Sequence, residues 1–229
     1  MGTSRIDVER TYVGGPAPLG DPRLGVVSGI AKAPVGAGTL LGLTTLNLDG
    51  DDQADRTVHG GLDKAVYVHP AEHLRVWAVD LGQPVLAGPP LDVAAFGENL
   101  STRGITETSA CIGDVWAWGT ARLQVCQPRW PCQKLTLHRR SARVGSMMRA
   151  TGRTGWYLRV LEPGTVPADG PVDIVERHPA GITVADAHRA MLDRSSADRP
   201  LLQGLVSLGH VLADEWRRPL ADRLDEEGF

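Results

Sequence analysis

Cys132 is the residue whose type and neighbours point most directly to chemistry. It lies in the stretch QPRWPCQKL, residues 127–135, directly after Pro131 and with Arg129 and Lys134 close by in the chain. A helical turn that begins after Cys132 would place its thiol at a helix N-terminus, where backbone N–H groups and nearby cations favour the thiolate. The thiolate is the form of cysteine that ligates metals and attacks electrophiles. The stretch therefore predicts a functional cysteine.

The other two cysteines are predicted to be structural. Cys111 is flanked by small and apolar residues, which is typical of a packed thiol. Cys126 lies near the end of a predicted strand, on the face opposite Leu123 and Val125. It precedes Cys132 by six positions, which does not match a Cys-x-x-Cys redox pair or a zinc knuckle. Three cysteines, an odd number in a chain of this size, indicate a reducing compartment and at least one free thiol.

A second polar cluster lies in LNLDGDDQADRTVHGGLDKAVYV, residues 46–68. Its first half is acidic, and Arg56, His59, Gly60 and Gly61 come after it. The glycine pair allows positive φ and a close approach of the backbone to a ligand. An acidic surface loop that ends in a turn would have the same composition. The residues alone leave both interpretations open.

Two further side chains are candidates for ligand contacts. Asn99 follows Gly97 and Glu98 at a predicted strand start, where its amide could donate to a ligand or hold the loop. Lys32 alternates with Ser28 and Ile30 in residues 28–35, so in a closed sheet its side chain would point inward. A buried lysine is costly unless an anion meets it.

Several common enzyme motifs are missing from the sequence. There is no Walker A loop, no G-x-G-x-x-G after a predicted strand and no H-E-x-x-H. The HGG at His59 is not followed by G-x-S-x-G, which argues against an esterase. His69 and His73 are four residues apart, but a first-turn histidine is more typical of a cap or surface position than of a metal ligand. A zinc enzyme is therefore not expected.

Composition excludes several kinds of partner. The 229 residues carry a net charge of -3, so no global field recruits nucleic acid or an acidic membrane, and any anion site must be local. No apolar run approaches the roughly 20 residues of a membrane span, and no secretory signal is visible at the N-terminus. We expect a cytoplasmic protein.

The predicted elements are mostly short strands. There are 27 glycines and 16 prolines, spread between short apolar runs, which favours strands and tight turns over long helices. Residues 64–69 predict a strand, and residues 114–128 predict a hairpin that turns near Gly119 and Thr120. Residues 154–166 and 171–177 predict two more strands joined through Pro163 and Gly164. So many short strands favour a barrel or a strongly coiled sheet.

Two helices are predicted within this β region. Residues 69–82 place Pro70 in the first turn and Gly82 at the end, with Leu74, Trp77 and Leu81 as the apolar stripe. Residues 141–152 place Val144, Met147 and Met148 at helical spacing, and we interpret the two methionines as core residues.

Helical patterns dominate after Arg177. Thr183 with Asp186 predicts a capping box, Asp198 predicts a second cap, and residues 212–224 carry apolar side chains at four-residue spacing. Three short helices are marginal alone, so we expect them to pack on one another and on the β region. The predicted domains are residues 1–178 and 179–229.

Taken together, these stretches resemble the MOSC family, named after the C-terminal domain of molybdenum cofactor sulfurase, and within it the YiiM-like bacterial branch. The resemblance covers nearly the whole chain in order. The matching stretches are residues 28–32, 49–73, 96–107, 112–119, 127–135 and 154–164, with the tail at 212–224 similar to the three-helix domain of that branch. HGG, FGEN and PR-x-PC are the most specific of the shared motifs.

The resemblance implies a mostly β fold, a MOSC-type β-barrel with peripheral helices and a small C-terminal three-helix domain. It implies molybdenum cofactor as the ligand, with Cys132 as the catalytic thiolate ligand to molybdenum. Members of the branch reduce N-hydroxylated compounds, such as hydroxylaminopurines, to amines. The residues at matching positions for the cofactor's phosphate and pterin are Lys32, Arg56, His59, Asn99 and Arg129. Trp130 departs from the smaller residue usual at its position, which bears on substrate size.

Further expectations come from the same resemblance. The chain has no flavin motif and too few cysteines for an iron–sulfur cluster, so a separate reductase must deliver electrons. Pyridoxal phosphate is not expected, because the domain of the sulfurase that binds it would alone exceed this chain. Two alternatives stay open: a non-catalytic carrier of cofactor or sulfur on Cys132, and a thiol hydrolase that pairs Cys132 with His59.

Overall fold

The computed structural model of the protein describes residues 5–54, 60–82, 94–192 and 198–226. Strands make up most of the regular structure before residue 177. They are β1 (Arg5–Val13), β2 (Ala17–Pro18), β3 (Val27–Ser28), β4 (Ala33–Pro34), β5 (Leu40–Leu43), β6 (Val66–Pro70), β7 (Leu100–Arg103), β8 (Val115–Trp118), β9 (Ala121–Pro128), β10 (Trp156–Glu162), β11 (Gly164–Pro167) and β12 (Gly170–Glu176).

The helices lie around the strands and at the C-terminal end. They are α1 (Glu72–Leu81), α2 (Gln133–Arg139), α3 (Arg143–Thr151), α4 (Val184–Leu192), α5 (Arg199–Ser207) and α6 (Asp214–Glu226). A 3-10 turn over Leu62–Lys64 precedes β6. Among the described residues, no helix is both long and apolar enough to cross a membrane.

Seven strands close into a mixed barrel, which confirms the predicted fold class. Around the barrel the order is β1, β12, β8, β9, β10, β6, β7 and back to β1. The β6–β7 pair is parallel and the other neighbours are antiparallel. Strand β1 closes the barrel, because it pairs with β12 at its start and with β7 along its length, with a register shift between Val8 and Arg10. Closure leaves these seven strands without the unpaired edges of an open sheet.

The β8–β9 hairpin leads the chain to the predicted functional segment. It turns at Gly119 and Thr120, as the sequence predicts. Along β9 the register against β10 shifts between Val125 and Gln127, so Cys126 occupies a β-bulge. Bulges bend a strand and redirect the chain beyond it. Strand β9 ends at Pro128, directly before the segment that carries Cys132.

Helices α1 and α3 pack beside the barrel in a second apolar cluster. Gly82 ends α1 with a φ of 77°, as predicted. Trp77 on α1 and Val144 and Met148 on α3 are fully buried in this cluster, which confirms the predicted core role of Met148. Met147 is partly buried against it. The cluster supports the side of the barrel on which α2 begins.

The three C-terminal helices share the core of the barrel. Thr183 and Asp186 form the predicted capping box: the Thr183 Oγ1 accepts from the Asp186 N–H at 3.0 Å and the Asp186 carboxylate accepts from the Thr183 N–H at 3.1 Å. Trp216 on α6 is buried in the same cluster as the barrel strands. The Ala213 N–H donates to the Cys126 carbonyl at 3.0 Å. The division into domains at residues 178 and 179 stays a prediction.

Four predictions about local structure need correction. Residues 29–32 do not continue a strand from Ser28, because β3 ends at Ser28 and β4 begins at Ala33. Pro70 ends β6 instead of opening α1. Residues 154–166 form two strands, because β11 turns away to pair with β5. Asp198 occupies the predicted N-cap position of α5, but its side chain makes no capping hydrogen bond.

Candidate active site at Cys132

Cys132 stands at the N-terminus of α2, which confirms the predicted helical turn. Its backbone is extended, with φ -125° and ψ 166°, and its carbonyl accepts from the Leu135 N–H at 3.1 Å. The residue is half-buried and unpaired with another cysteine. Leu135, one turn into the helix, is fully buried and anchors α2 to the second apolar cluster. The thiol therefore lies at a fixed position on the wall of the barrel.

A polar cavity of about 100 Å³ lies on one side of Cys132. Its lining combines cations, carboxylates, aromatic rings and glycines from six parts of the chain. The polar and aromatic lining residues are Ser28, Lys32, Asp51, Asp52, Gln53, Lys64, Tyr67, Phe96, Asn99, Arg129, Lys134 and Tyr157. The cavity thus brings together four of the six predicted site residues, Lys32, Asn99, Arg129 and Cys132. Their roles toward a cofactor stay predictions.

Lys32 meets an anion inside the cavity, but that anion is a protein carboxylate. Its ammonium pairs with Asp51, and both side chains are more than nine-tenths buried. The Asn99 amide donates to the other Asp51 oxygen at 2.9 Å and to the Tyr12 carbonyl at 3.3 Å, while its Oδ1 accepts from the Tyr67 N–H at 3.0 Å. Both N–H groups of Asn99 are therefore used by the protein. This geometry favours the loop-holding alternative, in which Asn99 positions Asp51 and thereby Lys32.

Arg129 is a buried cation that points at the cavity. It is 4% exposed, and its guanidinium lies 5.0 Å from the centre of the Tyr67 ring and 3.5 Å from the Met148 sulfur. Within the described ranges it forms no ion pair with a carboxylate. Burial raises the pKa of Tyr157 to about 12 and that of Tyr67 well above its usual value. Both phenols are consequently neutral hydrogen-bond donors at physiological pH, and the guanidinium provides positive charge for an anion.

The FGEN segment holds a buried carboxylic acid beside this site. Glu98 is 1% exposed and accepts from the Ala95 and Phe96 N–H groups at 3.2 and 2.9 Å. Burial outweighs these bonds and raises the pKa of Glu98 to about 7. Phe96, two residues before Glu98, lines the polar cavity. The Glu98 carboxylate therefore holds the loop that carries Phe96.

A larger cavity of about 330 Å³ lies on the other side of Cys132. It shares Lys64, Arg129, Cys132 and Tyr157 with the polar cavity, so the two spaces meet at the thiol. The remaining lining residues are Trp130, Met191, Glu215, Trp216 and Pro219. This cavity is mostly apolar and aromatic, in contrast to its neighbour.

The other predicted residues lie away from the two cavities or outside the described ranges. Cys126 is fully buried, its sulfur lies 3.2 Å from the Asp63 carbonyl, and burial raises its thiol pKa to about 12. Cys111 is partly buried, and burial raises its pKa. Arg56 and His59 lie outside the described residues, so the hydrolase alternative that needs His59 stays open. Among described residues, no group of three or more metal-ligating side chains occurs.

Sequence reasoning missed several lining residues. Tyr67 and Tyr157 lie on predicted strands, where each tyrosine alternates with apolar residues. This alternation could have placed the two rings on the opposite strand face from those apolar residues. Glu215 and Trp216 approach Cys132 only through the packing of α6 on the barrel, for which the sequence has no local signal.

Known proteins share both the sequence pattern and the fold. Residues 55–173 match the MOSC domain family. The chain is 44% identical over 200 residues to Protein YiiM of Escherichia coli, covering 87% of this chain and 85% of that protein. It superposes on the crystal structure of YiiM from Geobacillus stearothermophilus with a TM-score of 0.76 at 28% identity, covering 96% of this chain and 99% of the other. A protein of Gibberella moniliformis named Reductase is 32% identical over 178 residues, which are 76% of this chain and 28% of that protein.

Proposed function

The chain belongs to the MOSC domain family and to its YiiM-like branch, and on that basis we propose that it is a molybdenum-cofactor-dependent reductase of N-hydroxylated compounds. The observation that carries the proposal is the position of Cys132, at the meeting point of a cation-lined cavity and an aromatic cavity. The cation-lined cavity suits an anionic cofactor, and the aromatic cavity suits an organic substrate. The relative named Reductase supports the reaction class.

The residues present fit a molybdenum–pterin cofactor. A soft thiolate is a suitable ligand for this metal, and Cys132 is accessible and fixed. The buried guanidinium of Arg129 and the ammonium of Lys134 offset the negative charge of a phosphate. The polar cavity, at about 100 Å³, accommodates a phosphate and part of a pterin. Arg56 and His59 belong to the segment that directly follows Ala54 of its lining, and we propose that they complete the site.

The proposed reaction converts R–NHOH, two electrons and two protons into R–NH₂ and water. When bound, the cofactor supplies the two-electron oxygen transfer, and the protein supplies binding, orientation and electrostatics. Tyr157 lines both cavities and stays protonated, so its phenol can donate a hydrogen bond to the N–OH oxygen near Cys132. Trp130 and Trp216 line the aromatic cavity on the proposed substrate side. A separate reductase must return the electrons.

A carrier of cofactor or sulfur is the second candidate, since a half-buried thiol could also hold a persulfide. Two substitutions test the proposed role of Cys132. Cys132→Ser should abolish reduction of an N-hydroxylated substrate and lower the molybdenum and pterin content, whereas Cys111→Ser should leave both unchanged. Mass spectrometry of native protein provides the second arm: a thiol adduct of one sulfur atom without metal would favour the carrier. Full reductase activity in Cys132→Ser would refute the proposed enzyme.

A further inference from the structure

The two cavities beside Cys132 share a small set of side chains. They have Lys64, Arg129, Cys132 and Tyr157 in common. A molecule that reaches from one cavity into the other passes these four groups. Under the proposed function they therefore surround the place where the N–O bond of a substrate breaks, and that reaction consumes protons.

Lys64 is the member of this set best suited to proton transfer. The Arg129 guanidinium does not release a proton in proteins, and burial raises the pKa of Tyr157 to about 12, so its phenol keeps its proton. Cys132 as a thiolate has no proton to give. A lysine ammonium can lose and regain a proton, and the Lys64 side chain is 12% exposed, so water can return it.

The use of lysine in the chain agrees with such a role. Of the 24 lysine and arginine residues, three are lysines, Lys32, Lys64 and Lys134. All three line the polar cavity. The other basic residues are arginines, which carry a permanent charge. Among the three lysines, all of which the structure describes, Lys64 is the one that also lines the aromatic cavity.

Both the backbone and the side chain of Lys64 are held in place. Lys64 ends the 3-10 turn before β6, and its carbonyl accepts from the Gln53 side-chain amide at 3.1 Å. Its ammonium pairs with the Glu215 carboxylate at 2.6 Å, across the boundary between the barrel and α6. The next residue of α6, Trp216, is 1% exposed and anchors this helix in the core. Helix α6 therefore positions the ammonium where the two cavities meet.

From this placement we propose that Lys64 is the catalytic proton donor to the substrate nitrogen and that Glu215 is its positioning residue. The proton transfer rests on the proposed function. As two electrons from the reductase enter and the N–O bond breaks, the nitrogen takes a proton from Lys64 Nζ and becomes the amine R–NH₂. The oxygen, which accepts the Tyr157 hydrogen bond, takes the second proton from solvent and leaves as water. Lys64 then regains its proton from water.

Lys64→Arg keeps the positive charge but cannot transfer a proton. In cofactor-loaded protein, with reduced methyl viologen as electron donor and phenylhydroxylamine as substrate, kcat should fall by roughly 100-fold or more, as for loss of a general acid. Glu215→Gln should lower kcat about threefold. Because Glu215 acts through Lys64, the double variant should be no slower than Lys64→Arg. Glu226→Gln, at the exposed end of α6, should leave kcat unchanged.

Substrates that differ at the nitrogen separate proton transfer from a structural role. An electron-withdrawing ring stabilises negative charge on the nitrogen, which then depends less on a proton donor. The loss of kcat in Lys64→Arg should therefore be smaller for 4-cyanophenylhydroxylamine than for 4-methoxyphenylhydroxylamine. An equal loss for both substrates would contradict proton transfer by Lys64.

The positioning role is tested on cofactor-free protein by acetylation with acetic anhydride and peptide mapping. Glu215→Gln should speed the labelling of Lys64 about threefold, because the ammonium loses its partner, and should leave the labelling of Lys134 unchanged. Equal rates at Lys64 would refute the positioning. If the unsubstituted protein reduces phenylhydroxylamine and Lys64→Arg does so equally fast, the proton donor is wrong and the proposed function stands. If the unsubstituted protein reduces no N-hydroxylated compound, the proposed function fails and the proton donor with it.

Discussion

Replacing Glu98 by glutamine should remove a pH-dependent loss of stability. The carboxyl group is buried beside the candidate site, and burial raises its pKa from 4.5 to about 7. Because the folded pKa is the higher one, the folded chain keeps the Glu98 proton between these values while the unfolded chain has released it. Stability therefore falls as the pH rises through this window, from about 4.5 to 7.

The two pKa values set the magnitude of the effect. Each pH unit in which only the folded state holds the proton costs about 1.4 kcal/mol. Between pH 5 and pH 8 the unsubstituted protein should lose roughly 2–3 kcal/mol of unfolding free energy through Glu98 alone. Glutamine cannot ionise, and its side-chain oxygen can still accept from the Phe96 N–H, so the variant should lack this component.

Urea unfolding at pH 5 and pH 8 measures the effect. For each protein, the quantity to compare is the change in unfolding free energy between pH 5 and pH 8. Titrating groups that the variant shares with the unsubstituted protein contribute equally to this change and cancel in the comparison. Glu226→Gln is the matched control, because this exposed glutamate should leave the pH dependence as it is in the unsubstituted protein. If the unfolding free energies of the unsubstituted protein and Glu98→Gln changed equally with pH, the reasoning that burial raises the pKa of Glu98 would be refuted.

Three further predictions concern the site and its supports. In native protein, iodoacetamide should label Cys132 and leave Cys126 unlabelled, since Cys126 is fully buried with a pKa of about 12; peptide mapping that finds Cys126 labelled first would contradict this. Asp51→Asn should destabilise the protein by about 3–5 kcal/mol in urea unfolding, because it leaves the Lys32 charge buried without its partner; a loss below about 1 kcal/mol would contradict the pairing. Gly155→Ala should lower the unfolding free energy by at least about 3 kcal/mol, because Gly155 has a φ of 67° and the new Cβ would lie 2.2 Å from the Val68 carbonyl oxygen. An unchanged melting temperature would contradict the close packing of β6 against the turn before β10.

The local parts of the fold were predictable because their signals are local. The Gly119–Thr120 hairpin and the Thr183–Asp186 capping box depend on a few adjacent residues, and both form. The helix start after Cys132 is another such case. The barrel itself was indicated by the number of short strands and by the family resemblance.

The contacts that complete the barrel and the site could not be predicted from the sequence alone. Pairing of β1 with β12 joins the first and last strands of the barrel, and no local pattern specifies that register. In the sequence Asp51 is one of several similar aspartates, and only the fold brings Lys32 and Asn99 to its two oxygens. At the cavity Glu215 pairs with Lys64, and these two residues are 151 positions apart in the chain.

The role of Cys132 as a molybdenum ligand is the central claim, and X-ray absorption at the molybdenum edge tests it most directly. The samples are the unsubstituted protein and Cys132→Ser, both loaded in a host that makes the cofactor. We predict that the metal in the unsubstituted protein has one sulfur neighbour more than in Cys132→Ser, or that Cys132→Ser retains no metal. Equal molybdenum content with the same sulfur coordination in both proteins would contradict the claim.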